Sequence, residues 1–211
     1  MTKFSQVVAI ILFVVVFFVG FLLGRKFEDK VFSKTSLTLV VQPAGTISYT
    51  GGTTGFSLYY PIGFTVDESY SYQELGPGKD ISGVKFTIPA SLASGTNLGS
   101  DSYLSVEKIT GAQTCTANLF LGQQGPSPMI PQTLTDNGTT YSVASTTGAG
   151  AGNRYFETVY AIPGTNPCVA VRYFIHYGVI ENYPAGSITE FDQAALLSQF
   201  DTIRRTLTIS K

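Results

Sequence analysis

Val7 to Gly24 reads VVAIILFVVVFFVGFLLG, eighteen residues with no charge and no strong hydrogen-bonding side chain. As a helix rising 1.5 Å per residue it is about 27 Å long, enough to cross most of a ~30 Å hydrocarbon core. Lipid tolerates its many β-branched and aromatic residues because a helix satisfies every backbone group internally. A cleaved signal peptide shares the short positive start at Lys3 and the apolar run, but cleavage needs small residues at the −3 and −1 positions. Gly20 pairs with Phe18 and Gly24 with Leu22, so neither site qualifies, and no Cys comes after the run to accept a lipid. The expected organisation is a short tail over residues 1–6, a single transmembrane signal anchor over 7–24, a juxtamembrane linker over 25–50 and a domain over 51–211.

Two rules disagree about orientation. Arg25, Lys26, Lys30 and Lys34 lie just after the apolar run, and by the positive-inside rule they place the C-terminal side in the cytoplasm. Against this, the tail before the run is six residues, the usual form of an anchor that exports the chain on its C-terminal side. The remainder carries both Cys and all twelve Tyr, in a background of Thr, Ser and Gly. The expectation is a cell-membrane, single-pass protein with its C-terminal domain extracytoplasmic and the lipid bilayer as partner through residues 7–24.

Charge narrows the function classes. From Ala44 onward there are eight basic and twelve acidic residues, a mildly acidic domain that gives no reason to expect nucleic acid. Only 13% of the chain is charged, which excludes an acidic disordered chain or a coiled coil. One His, two Cys and no Trp leave no stock for a zinc cluster or a disulfide-rich scaffold.

Alternating runs predict strands. Phe56, Leu58 and Tyr60 share one face of a run that stops at Pro61-Ile62-Gly63, after which Gly63–Val66 restarts. Val84–Ile88 alternates before Pro89, and Tyr103–Ile109 is another strand. Tyr155–Ile162 and Cys168–Ile180 form the clearest pair, joined by Pro163–Pro167 with Pro-Gly suited to a type II turn. Val169, Val171, Tyr173, Ile175, Tyr177 and Val179 face the core. One later segment is helical: Ser187 and Glu190 fit a capping box, and Leu196, Phe200 and Ile203 recur at helical spacing with Ala195 and Leu197 widening the stripe. Gly95–Ser102, Gly122–Gly138 and Thr146–Asn153 read as polar loops. The fold class is α+β.

This order of features resembles the PsbP-like fold. The resembling residues are Gly55–Pro61 with Phe64 after them, the pair Tyr155–Ile162 and Cys168–Tyr177, and the closing segment Phe191–Leu207 with Leu196-Leu197-Ser198-Gln199-Phe200. The resemblance covers about residues 55–208. It implies an antiparallel β-sheet flanked by helices, with a short helix near Ala90–Leu92. Functions within that fold differ widely, so it transfers no activity.

Chemistry-bearing patterns are sparse. His176 is the single histidine, so any His-dependent triad or metal site must pass through it. It alternates with Arg172 and Phe174 on the face opposite Tyr173 and Ile175, and Arg172, His176 and Glu181 are the candidate ligand-binding patch, set against a His merely hydrogen-bonded on a half-exposed sheet face. No second His offers metal-ligand spacing, and no G-x-S-x-G nucleophile motif occurs. Gly148–Asn153 is glycine-rich, but it leads into a strand where a phosphate loop needs a helix. Asp67-Glu68 and Asp101 are too dispersed for a calcium loop. Asn137-Gly138-Thr139 matches a glycosylation acceptor and equally a hairpin turn. No metal and no cofactor is expected. Cys115 and Cys168, an even pair in an exported domain, are expected to form a disulfide.

The functional expectations are three. The first is a non-enzymatic membrane-anchored domain that binds a ligand or an envelope protein partner, or serves envelope assembly. The second is a hydrolase-type enzyme using His176 with nearby acids. The third is a structural domain with no dedicated site.

Overall fold

Strand β10, Cys168–Gly178, is rich in β-branched and aromatic residues and sits at the centre of the largest sheet. The computed structural model describes residues 42, 44–51, 55–122 and 129–210. The apolar run at 7–24 and the linker up to residue 41 lie outside the described residues. Among the described residues, no helix is long and apolar enough to cross a membrane.

Eleven strands and two α-helices succeed one another in chain order among the described residues. They are β1 (Thr46–Gly51), β2 (Phe56–Pro61), β3 (Thr65–Asp67), β4 (Ser71–Tyr72), β5 (Ile81–Thr87), α1 (Ala90–Ala93) and β6 (Tyr103–Ile109). After these come β7 (Gln132–Asp136), β8 (Thr139–Gly150), β9 (Asn153–Ala161), β10, α2 (Gln193–Arg204) and β11 (Thr208–Ile209). The large sheet runs β3-β5-β6-β10-β9-β8-β7, with β4 also on β5, and a second sheet runs β1-β2-β11. Every strand pair is antiparallel.

Period-two alternation along β10 sorts its side chains between two environments. Val169, Val171, Tyr173 and Ile175 enter the main core with Val84 and Phe86 of β5 and Leu104 and Val106 of β6. That core is closed by Phe56 and Leu58 of β2, Tyr49 of β1, and Leu196, Phe200 and Ile203 of α2. Phe200 is fully buried, its ring 5.2 Å from that of Tyr173. Cys168, Ala170 and Arg172 point to the other face, where a smaller core gathers Tyr72, Ile81, Phe120, Val159 and Ala161.

The expected hairpin β9–β10 is present, and so is its turn. Thr165 N donates to the Ile162 carbonyl, and Gly164 takes φ +83°, the left-handed position that a type II turn reserves for glycine. Cys115 and Cys168 are bonded, with Cα atoms 5.1 Å apart across 53 residues of sequence. Closing a loop of that length restricts the unfolded chain by about 4 kcal/mol in the entropy model. The short helix implied near Ala90–Leu92 is α1.

Four expectations are corrected. Thr146–Asn153 is not a loop: Thr146–Gly150 continues β8, Asn153 opens β9, and Ala151-Gly152 alone turns the chain. Its Gly, Ala and Thr carry no apolar alternation because this outer end of the hairpin is mostly exposed. Within Gly122–Gly138 lies β7, joined to β8 by the two-residue turn Asn137-Gly138. The cap of α2 is Asp192, which accepts from Ala195 N at 2.9 Å, rather than Ser187 with Glu190; Asp192 itself still has extended backbone, and Ala195 is exposed. Residues 46–50, expected in the linker, belong to β1 because β2 offers them a full antiparallel partner.

The end of α2 is tied to β7. Arg204 lies between the rings of Tyr141 and Tyr160, is almost fully buried, and donates to Tyr173 and to Asp136 at 2.6 Å. Hydrogen bonds from Arg205 and Arg204 hold the Asp136 carboxyl below the usual carboxylate range. A depressed carboxylate contributes stability above its unfolded value that is lost as pH falls through the folded one. Asp136→Asn is therefore expected to lower stability at neutral pH and to flatten its decline in acid, as read from urea midpoints across pH. Phe200→Ala is expected to lower unfolding free energy by about 3–5 kcal/mol in the same assay.

Candidate functional site

Arg172 cannot reach water, so its guanidinium must be neutralised within the protein. Register supplies the means: Arg172 faces Ser105 on β6 and Val159 on β9, and alternation puts Glu107 and Glu157 on the same face, two residues along. Arg172 Nε and Nη2 donate to the two oxygens of Glu107 at 2.8 and 2.9 Å, a bidentate pair. Its Nη1 donates to Glu157, and Nη2 also reaches the Phe120 carbonyl at 2.6 Å. The Tyr72 ring covers the guanidinium at 3.5 Å. Ser105 donates to Glu107 at 2.7 Å, and Tyr72 donates to Glu157 at 3.1 Å. Burial alone would push the Arg172 pKa down, but the Glu107 charge and hydrogen bonds override it and hold it raised.

Above this floor lies a cleft of about 670 Å³ on the face opposite α2. A row of rings crosses it. Tyr103 stacks on Phe174 at 4.9 Å, Phe174 meets Tyr155 at 6.1 Å, and Tyr155 stacks on His176 at 4.7 Å. Tyr70 closes one end, its hydroxyl 2.8 Å from that of Tyr103. Burial first, with the Glu107 charge behind it, pushes the Tyr70 phenol up, and burial likewise raises Tyr103, so both remain protonated hydroxyls. Glu74, Lys85, Asp101, Thr146, Thr147 and Glu157 are among the polar residues that line it.

The three expected patch residues are not brought together. Arg172 is committed to the floor and is not free to meet a ligand: the buried Glu107 and the partly exposed Glu157 draw it in. His176 stands four residues along β10, about 13 Å away at strand rise. Its side chain is 22% exposed and its Nδ1 lies 2.8 Å from Asp101 Oδ1. Since a carboxylate accepts, Nδ1 carries the proton, and Nε2 is buried without a hydrogen-bond partner. Gly99 permits this pair: a Cβ there would stand 2.5 Å from Asp101 Oδ1 and 2.7 Å from His176 Nδ1. Glu181 sits exposed in the 3₁₀ turn Ile180–Asn182, and nothing ties it to the other two. No group of three or more metal-ligating side chains occurs among the described residues.

Sequence reasoning missed Glu107, Glu157, Asp101 and Lys85. One signal was available: by alternation Glu107, Glu157 and Arg172 each stand among mostly uncharged residues on one face of their strands, two acids against one base.

No protein-family model and no curated protein matches the chain. Among solved structures, the chain is similar to the cyanobacterial PsbP (CyanoP) of Synechocystis sp. PCC 6803, with 16% identity and a TM-score of 0.40 over 81% of this chain and 95% of that one. It is also similar to a protein from Bacteroides thetaiotaomicron, with 11% identity and a TM-score of 0.43 over 79% of this chain. The chain spans about half the length of that protein, 49%. Neither likeness carries an activity, a ligand or a partner to this chain.

Arg172→Ala is expected to cost about 3–5 kcal/mol, because Glu107 is left buried without its counter-charge. Urea denaturation checks this, with Arg172→Lys expected to recover only part of the loss since one ammonium cannot replace the bidentate fork.

Proposed function

We propose that this chain is a membrane-anchored extracytoplasmic domain of binding type, without catalysis, and that the ring-lined cleft is its binding site. The observation that carries this reading is the cleft itself: a concavity of about 670 Å³ lined by aromatic rings and convergent polar groups, above an ion network that fixes its floor. The anchor rests on the apolar run at 7–24, and export rests on the Cys115–Cys168 bond, which suits an oxidising compartment. An envelope protein partner reached through the domain is compatible with a ligand held in the cleft.

A hydrolase-type reading has one observation in its favour, the Asp101–His176 pair with Nε2 unengaged. Such a pair orients a base, yet Nε2 has no hydroxyl or thiol within hydrogen-bond reach among the described residues. His176→Gln separates the readings, since a hydrolase loses its turnover and a binding domain keeps its affinity to within a few-fold.

The test of the binding reading is a fragment screen of mixed charge by ligand-observed NMR, using the full chain in a neutral maltoside detergent. Fragments are expected to bind, to lose their signal in Tyr155→Ala, and to keep it in Leu92→Ala beside α2. Binding indifferent to Tyr155→Ala would contradict the assignment of the cleft.

A further inference from the structure

The cleft's lining is unbalanced in charge. Three carboxylates, Glu74, Asp101 and Glu157, line it against the single ammonium of Lys85. Beneath, the charge of Arg172 is matched by that of Glu107, so the floor adds no net positive charge and Glu157 counts once, in the lining. A concave, low-dielectric wall concentrates such a field and attracts cations.

An independent feature points to the same sign. This face already holds two of the chain's own cations against aromatic rings. Arg172 lies 3.5 Å from the Tyr72 centroid, and Lys85 Nζ stands 5.3 Å from that of Tyr70 and 5.7 Å from that of Tyr103. The negative faces of the rings favour positive charge, most strongly where water is displaced. Farther along the row, Phe174 and Tyr155 touch each other, tilted by 41° with their centroids 6.1 Å apart, and both line the cleft with Glu157, which lies opposite Phe174 in the register. Lys85 is held only loosely: its ion pair with Asp67 is 3.8 Å long and both side chains are partly exposed.

Resting on the binding reading above, we infer that the ligand of the cleft is a small organic ammonium ion, free in solution, seated in the cleft against the ring row that Tyr155, Phe174 and Tyr103 form along its lining and balanced by Glu74, Asp101 and Glu157. Lys85 is then a competitor within the site. It occupies the Tyr70–Tyr103 end and adds a like charge against the ligand.

The position of Lys85 makes the charge class directly testable. The full chain in a neutral maltoside detergent is titrated with three probes of one shape: tetramethylammonium, tert-butyl alcohol and pivalate. Tetramethylammonium is expected to bind saturably, several-fold more weakly when salt rises from about 0.05 to about 0.5 M, a range over which screening shortens from above ~10 Å to a few ångströms. Lys85→Gln is expected to tighten it several-fold, and Glu74→Gln to weaken it, with melting temperatures of both variants unchanged within a few degrees. Loss of pivalate binding in Lys85→Gln, with tetramethylammonium silent, would overturn the inference in favour of an anion. Preferential binding of tert-butyl alcohol, insensitive to salt and to Lys85→Gln, would overturn it in favour of a neutral ligand. In either case the Tyr155→Ala sensitivity of the fragment screen still upholds the cleft as the site, so the two failures are distinguishable.

Discussion

A guanidinium with no exposed surface must find its counter-charges inside the protein, and Arg172 finds two carboxylates, a carbonyl and the face of a ring. Desolvating one cation and two acids is expensive, and a buried ion pair is weak evidence for stability by itself. What the network does is fix positions. Glu107 comes from β6, Glu157 from β9 and Arg172 from β10, so three adjacent strands are tied at one level of the sheet. The Phe120 carbonyl and the Tyr72 ring bring in the chain leading to Leu121 and Gly122 and the short strand β4, which line the cleft. Remove the charge at the centre and those walls lose their common anchor.

The two faces of the large sheet thus do different work. One is closed by α2 and the β1-β2-β11 sheet around an apolar core that includes Phe86, Tyr173 and Phe200, and it carries most of the hydrophobic stabilisation. The other adds an ion network, a disulfide and a row of rings to a smaller apolar core, and remains open above them. Strand alternation lets one residue pattern serve both: Tyr173 and Ile175 pack inward while Arg172, Phe174 and His176 build the site face.

Much of this architecture was legible in the sequence because it derives from periodicity. The alternation along Cys168–Gly178, the Pro-Gly turn, the Leu196-Phe200-Ile203 stripe and the Cys115–Cys168 pairing are local or count-based signals, and each has its counterpart in the structure. The hairpin over Thr139–Ala161 was half hidden, since Gly148, Ala149 and Gly150 pair in register without any buried face to mark them as strand. The site was the least legible part. Arg172 meets Glu107 across 65 residues and His176 meets Asp101 across 75, separations that no spacing rule addresses. An arginine between apolar neighbours looks the same in sequence whether its strand face is open to water or sealed by two acids and a tyrosine.

The central claim is that the buried network positions the cleft's walls more than it holds the sheet together. Amide hydrogen exchange on the paired replacement Glu107→Gln with Arg172→Met tests it most directly, because the pair removes the cation together with its fully buried partner, and the remaining acid, Glu157, is partly exposed and keeps its bond from Tyr72. Protection along β5, β6, β9 and β10 should persist, while exchange at Tyr70–Gln73 and Phe120–Gly122 should accelerate at least tenfold, by the loss of about 1.4 kcal/mol of local stability. Unchanged exchange in those two segments, or protection lost uniformly across the sheet, would contradict the account.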